Sequence, residues 1–213
     1  MITLKINGTP YEMPTTWDDL QFGHYVDLIG ANEDVITFVS IFTGIEYDTI
    51  KSAKVQGVEL LADVWGFLKE QPEFDKLPGH CGKYKLPLNG KGVYNIQYES
   101  LGQFEDMRQI IKTVKQEETI NFTKAFGKYV AVYLQKIRDG EYNPQQVPSM
   151  EDEVLKMPAM EVVAVGSFFY LSTLNLLHGT KKTSPNTSRR LNKWRQEWKP
   201  FKRNLGNTPP STE

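Results

Sequence analysis

Two Asn-Gly dipeptides, Asn7-Gly8 and Asn89-Gly90, each lie between apolar stretches and each precede an acidic, aromatic-anchored helix start. Asn-Gly readily adopts the two positive φ angles of a type I′ turn, so each pair predicts a β-hairpin. The first copy runs through Leu4-Lys5-Ile6, Tyr11 and Met13 into Trp17-Asp18-Asp19-Leu20-Gln21-Phe22 and Tyr25-Val26-Asp27-Leu28. The second runs through Leu86-Pro87-Leu88, Val93, Tyr94 and Ile96 into Tyr98-Glu99-Ser100-Leu101 and Phe104-Glu105-Asp106-Met107. Phe22, Tyr25, Asp27 and Leu28 align with Leu101, Phe104, Asp106 and Met107, with the turns slipped by a few residues relative to that alignment. The duplication predicts two similar hairpin-plus-helices halves. Neither copy carries a catalytic group, so the sequence speaks of architecture and assembly more than of chemistry.

Between and after the hairpins the apolar spacing is helical. Pro14 stops the first hairpin, read over residues 2–13, and Thr16 is the expected N-cap of a helix reaching Ile29, with Asp18 and Asp19 at the positive end of its dipole. A second helix is expected over Glu33–Phe42 with Gly44 as C-cap. A single turn follows at Thr49 and Ile50, then a helix from Val55 to Leu68 with Val58, Leu61, Val64, Trp65 and Leu68 on one face. Pro72, Pro78, Gly79 and Gly82 mark a break. The second hairpin is expected over 84–98, then helices over Leu101–Lys115 and Glu118–Arg138. The latter carries Phe122, Ala125, Phe126, Tyr129, Val130, Tyr133, Leu134 and Ile137 at helical spacing. Ser149 opens a capping-box-like segment for a short helix to Lys156, and Pro158 opens the last helix, to Leu177. The fold class is mainly α with minor β: a helical bundle with two small hairpins. The expected organisation is 1–70, a linker over 71–83, 84–179, and a basic tail over 180–213.

Composition narrows the function. In 213 residues, 39% hydrophobic and 12% aromatic content provides for a real core and excludes disorder over most of the length. Cys81 is the only cysteine, which rules out an intrachain disulfide and suits a reducing compartment. Met1-Ile2-Thr3-Leu4-Lys5 lacks the layout of a signal peptide. Val162–Leu177, the most apolar stretch, is interrupted by Gly166, Ser167, Ser172, Thr173 and Asn175 and falls short of the roughly 18 to 20 apolar residues that span a bilayer. A soluble, cytosolic protein without membrane contact is expected.

Candidate chemistry is sparse. His80-Cys81 is the one thiol–imidazole pair, but neighbours on a glycine-flanked loop need not face each other. His24, His80 and His178 lack ligand spacing, and one cysteine makes no zinc motif. Gly179-Thr180-Lys181-Lys182-Thr183 lacks the first glycine of a phosphate loop and follows a helix rather than a strand. No catalytic residue, cofactor or metal is expected. Binding surfaces are better supported. Phe168, Phe169 and Tyr170 are consecutive and cover about 300° of a helix surface, so at least one faces away from the main core.

The charge is uneven. From Gly179 onward nine basic residues face two acidic ones, a net of +7, which leaves −8 for the rest of a chain that totals −1. Arg189, Arg190, Lys193, Trp194, Arg195, Trp198, Lys202 and Arg203 interleave cations with indoles, a pattern that suits phosphates and bases, another protein, or the acidic body itself.

The segment Ile36-Thr37-Phe38-Val39-Ser40-Ile41-Phe42-Thr43-Gly44-Ile45-Glu46-Tyr47-Asp48-Thr49-Ile50 resembles a module of bacteriophage tail assembly chaperones. In that module a helix ends in Leu/Phe-Thr-Gly-Ile/Leu, followed by a short acidic helix and a helix like Val58-Glu59-Leu60-Leu61-Ala62-Asp63-Val64-Trp65-Gly66-Phe67-Leu68. Pro14–Tyr25 is also similar to the start of such proteins, and the likeness covers about residues 12–69. Met157–Phe169 is similar to segments of phage structural-cluster proteins. The resemblance implies a noncatalytic assembly factor of the host cytoplasm that binds a tape measure or other virion protein, with Trp65, Phe67, Phe168, Phe169 and Tyr170 as protein-binding candidates. The alternative is a neck or tail ring component of the virion whose basic tail contacts DNA or a neighbouring subunit. A second copy of the chain is a further candidate partner.

Overall fold

The computed structural model describes residues 1–29, 31, 34–56, 67, 78–87, 100–114 and 119–177, with the side chains of 114, 119–122, 171–172 and 174–177 left aside. These residues are mostly helical, with seven helices and two small antiparallel sheets. They fall into two units. Residues 1–16, 31, 34–56 and 67 belong to the first; residues 17–29 and the described residues from 78 to 177 belong to the second.

In the first unit, β1 (Ile2–Ile6) and β2 (Thr9–Met13) form the expected hairpin, with Ile2 opposite Met13, Leu4 opposite Tyr11 and Ile6 opposite Thr9. Asn7 at φ 50° and Gly8 at φ 85° give the I′ turn that matches strand twist. Leu4, Ile6 and Met13 are buried on one face, while Thr3 donates to Glu12 Oε1 at 3.1 Å on the other. Val55–Gln56 forms β3, not the start of a helix, and the sheet order is β2-β1-β3. The reason is an open strand edge beside a chain already held there. The Asn7 N–H donates to Lys54 O at 2.9 Å, the Lys54 N–H to Asn7 Oδ1 at 3.0 Å, and Val55 then pairs with Ile6. The rest of the helix expected up to Leu68 lies outside the described residues, apart from Phe67, which is helical and buried.

Helix α1 (Phe22–Ile29) starts well after the expected Thr16 cap. Backbone groups near its start are engaged elsewhere: the Phe22 and Gly23 N–H groups donate to Met157 O at 2.9 Å and Leu155 O at 2.7 Å, and Leu20 O accepts from Ala159 N–H at 2.7 Å. Asp18 and Asp19 therefore lie before the helix rather than in its first turn.

The second unit is built on α5 (Thr119–Asp139), which packs against α1, α4 (Leu101–Val114), α6 (Val147–Val154) and α7 (Ala159–Leu177). Every residue from Tyr129 to Gln135 is buried. A helix covered on all sides cannot show one clean apolar stripe. Tyr129 O–H donates to Met107 O at 3.0 Å, and the buried Gln103 amide donates to Val132 O at 3.1 Å. Gln103 also completes a reciprocal cap on α4: its N–H bonds Ser100 Oγ at 3.2 Å, and its Oε1 accepts the Ser100 N–H at 3.0 Å. The box expected at Ser149 is absent, since α6 starts at Val147 after a 3-10 turn over Pro144–Gln146 that Asn143 caps.

The two aligned copies do not reach equivalent environments. Phe22 is fully buried, whereas its counterpart Leu101 is 84% exposed. Both α1 and α4 belong to the second unit. Asn89-Gly90 lies outside the described residues. The small hairpin that is described joins β4 (His80–Cys81) to β5 (Tyr84–Lys85) and starts inside the expected linker.

The α5–α7 contact is tight at Gly166, where an added Cβ would stand 2.8 Å from Phe126 Cβ and 3.2 Å from Phe126 Cα. Backbone cannot yield there as a side-chain tip could. Gly166→Ala is expected to destabilise the protein by about 1–3 kcal/mol, read as a lower urea midpoint by circular dichroism. A midpoint equal to wild type would show that the helices have room to separate.

Candidate protein-binding site

The residues proposed from sequence as contact surfaces differ in where they lie. Phe169 is fully buried and stacks on Tyr133, ring centroids 3.4 Å apart at 13°. Tyr170 is half-buried and meets Phe126 and Tyr129 edge-on at 6.3 and 5.9 Å. Phe168 is half-buried beside Phe169 at 5.5 Å. This aromatic triplet therefore contributes chiefly to the core of the second unit. Phe67 is buried, and Trp65 lies outside the described residues. So do Arg189, Arg190, Lys193, Trp194, Arg195, Trp198, Lys202 and Arg203.

His80 and Cys81 do not form a reacting pair. Cys81 is fully buried with its Sγ 3.8 Å from Met157 Sδ, while the largely exposed His80 turns Nδ1 to Glu161 Oε1 at 3.2 Å. Burial, with the Glu161 charge adding to it, pushes the thiol up to about 12, so it stays protonated. An open polar cleft of about 550 Å³ lies beside Gln135, Arg138, Asp139, Tyr142 and Asn143. Its polar groups brace one another. Gln135 Nε2 donates to Asp139 Oδ2 at 2.9 Å and Glu141 O at 3.1 Å, and its Oε1 accepts the Asn143 N–H at 2.9 Å. Tyr142 O–H donates to Asp106. Arg138 spans Asp139 and Glu153. Among the described residues no three His, Cys, Asp or Glu side chains converge as a metal site, and no helix is long and apolar enough to cross a membrane.

Residues 35–52 of the first unit leave several apolar side chains partly in water. Helix α2 (Val35–Thr43), VITFVSIFT, has no charged residue. Phe38 and Val39 are buried, Ile36, Ile41 and Phe42 are half-buried, and Val35 is 47% exposed. Asp34 starts the helix: its Oδ1 accepts the Thr37 N–H at 2.9 Å, and its other oxygen accepts the Thr37 hydroxyl. Those bonds hold its carboxyl below the usual range. Gly44 ends the helix at φ 69°, giving its N–H to Ser40 O at 2.8 Å. The turn is laced by hydroxyls: Thr43 Oγ1 donates to Val39 O at 2.7 Å and accepts the Ile45 N–H at 3.2 Å, and Ser40 Oγ donates to Ile45 O at 2.5 Å. Helix α3 (Tyr47–Ser52) then starts with Tyr47 41% exposed, Asp48 in its first turn and Ile50 buried. The sequence pattern located this helix–turn–helix. It did not single out Val35 and Tyr47, because periodicity gives a face and not how far neighbours cover it.

Compared with protein-family models, with curated proteins and with solved structures, the chain finds no match.

Asp34→Ala is expected to cost about 1 kcal/mol at neutral pH by removing the α2 cap. The depressed carboxyl stabilises above its ordinary pKa, and that contribution fades as pH falls through its folded value. The gap between variant and wild type in urea unfolding should therefore narrow in acid; a constant gap would mean that the charge has no part in the cap.

Proposed function

We propose that this chain is a noncatalytic bacteriophage assembly protein, a tail assembly chaperone that binds apolar segments of a tape measure or other tail protein in the host cytoplasm. The observation that carries this reading is an uncharged helix, α2, joined through a left-handed glycine to a short helix with Asp48 in its first turn, with Val35 and Tyr47 more than two-fifths exposed. Residues 36–50 are those that resemble the chaperone module, and the helix, Thr-Gly-Ile turn and short second helix follow in the order that module has. Apolar surface left in water is surface that association can bury, worth about 25 cal/mol per Å² before the costs of binding. An amphipathic client helix, laying its apolar face against α2 and α3, suits such a surface. Among the sequence candidates, Phe168 and Tyr170 retain part of their surface for contact, while Phe169 supports the core.

The +7 charge of residues 179–213 favours a second reading, a neck or tail ring component that touches DNA or an adjacent subunit through that segment. The two differ in the fate of the protein. A chaperone leaves with the precursor state, whereas a ring component stays in the particle.

Co-expression with a tape measure protein should keep that protein soluble and recover it with this chain. Val35→Glu combined with Tyr47→Ala should reduce recovery about tenfold, the effect of roughly 1.4 kcal/mol at a contact. Stoichiometric presence of the chain in finished particles by mass spectrometry would sink the chaperone reading and favour the ring component.

A further inference from the structure

The β4–β5 hairpin has two residues in each strand, with His80 opposite Lys85 and Cys81 opposite Tyr84, closed by the Leu86 N–H on Gly79 O at 2.9 Å. A two-stranded piece of this size has little stability of its own. It is seated by burial of Cys81, Tyr84 and Leu86 and by two carboxylates on neighbouring helices. Glu161, in the first turn of α7, accepts the Gly82 N–H on Oε2 at 2.6 Å and faces His80 Nδ1 with Oε1 at 3.2 Å. Glu153, near the end of α6, accepts the Tyr84 hydroxyl at 2.7 Å and stands 3.2 Å from Lys83 Nζ, both through Oε2. These attachments from hairpin to helix all end on carboxylate oxygen. Beneath the turn, an added Cβ at Gly82 would lie 3.0 Å from Met157 Cγ, and the Cys81 sulfur rests on that of Met157.

We propose that this hairpin is a carboxylate-latched strap: protonation of Glu153 releases Tyr84 and Lys83 from α6, loosens residues 79–86 and uncovers the Cys81 thiol, while the helices around α5 stay folded.

The groups around each latch set the direction. Glu153 faces Tyr84 and Lys83 from the hairpin and Arg138 from α5, whose Nη1 lies 2.9 Å from Glu153 Oε1 and whose other donors hold Asp139; Asp152 is its acidic neighbour on α6. The Tyr84 hydroxyl first, then Arg138 and Lys83, hold the Glu153 carboxyl below its ordinary value. Its contribution is therefore complete above the usual carboxyl range and is lost as pH falls through the folded value. Glu161 faces His80 and the Gly82 N–H, with Cys81 nearby. Arg138 retains Asp139 when Glu153 is neutralised, so α5 keeps one partner at that corner.

Cys81 is the only cysteine of the chain, so its modification reads the strap directly. The full chain should react slowly with 4,4′-dithiodipyridine at pH 7. Divided at each pH by the rate of a free model thiol, which removes the thiolate fraction and the reagent's own pH dependence, the rate should rise at least about tenfold below the ordinary carboxyl range, before the far-ultraviolet helix signal falls. Tyr84→Phe removes the hairpin's donor to Glu153 and leaves the Glu153–Arg138 pair. It should speed labelling about fivefold at pH 7, the scale of one lost hydrogen bond, with the urea midpoint of the helix signal unchanged. Labelling that tracks global loss of helix at every pH, or wild-type labelling by Tyr84→Phe, would overturn the proposal.

Discussion

Helix α5 sets the conditions that the rest of the second unit has to meet. Because its residues from Tyr129 to Gln135 are buried around the full circumference, it needs neighbours on every side. Four helices provide them, and each brings a different fitting. Helix α4 covers α5 with Met107 and Ile111 and receives the Tyr129 hydroxyl on a backbone carbonyl. Helix α7 comes in so close that only hydrogen fits at Gly166. Helix α1 is fastened near its first turn to the 155–159 backbone. Gln103 and Gln135, inside this assembly, have their amides engaged with carbonyls or carboxylates, which offsets the desolvation of those two groups.

The elements that sequence located well are those whose signal is local. Asn7-Gly8 and Gly44 announce positive φ, and the first hairpin and the end of α2 fall where those residues put them. The long periodic stretches became α4, α5 and α7. Errors collect where a distant partner takes over a backbone group. Thr16 looked like a cap, yet the start of α1 is set by carbonyls of Leu155 and Met157. Val55 looked like the first residue of a helix, yet the free edge of β1 drew it into the sheet. Ser149 had the right neighbours for a capping box, but Asn143 and Pro144 had already begun the turn upstream. The first two of these competitions, with partners far along the chain, are not visible within a short window.

The candidate surface was legible to the same degree. The helix–glycine–helix run over 36–50 stands out in the sequence, since Thr-Gly-Ile both ends one helix and bonds its own turn. Which apolar side chains remain in contact with water depends on what other segments cover, and that is a tertiary property. The aromatic triplet shows the same limit from the opposite side. Three adjacent rings must point in different directions, but the core took Phe169 entirely and part of Phe168 and Tyr170 as well.

The placement of α1 has a consequence for how the polypeptide reaches its native state. The second unit is discontinuous in sequence: α7, whose leading backbone α1 joins, leaves the ribosome roughly 130 residues after it, a wait of about 7–26 s at ordinary elongation rates of about 5–20 residues per second. Through most of that interval Phe22, Tyr25 and Val26, buried in the folded unit, have neither α5 nor α7 to pack against. The nascent chain thus carries an adhesive helix until α7 is made, so the order of translation sets an interval in which this protein is open to aggregation.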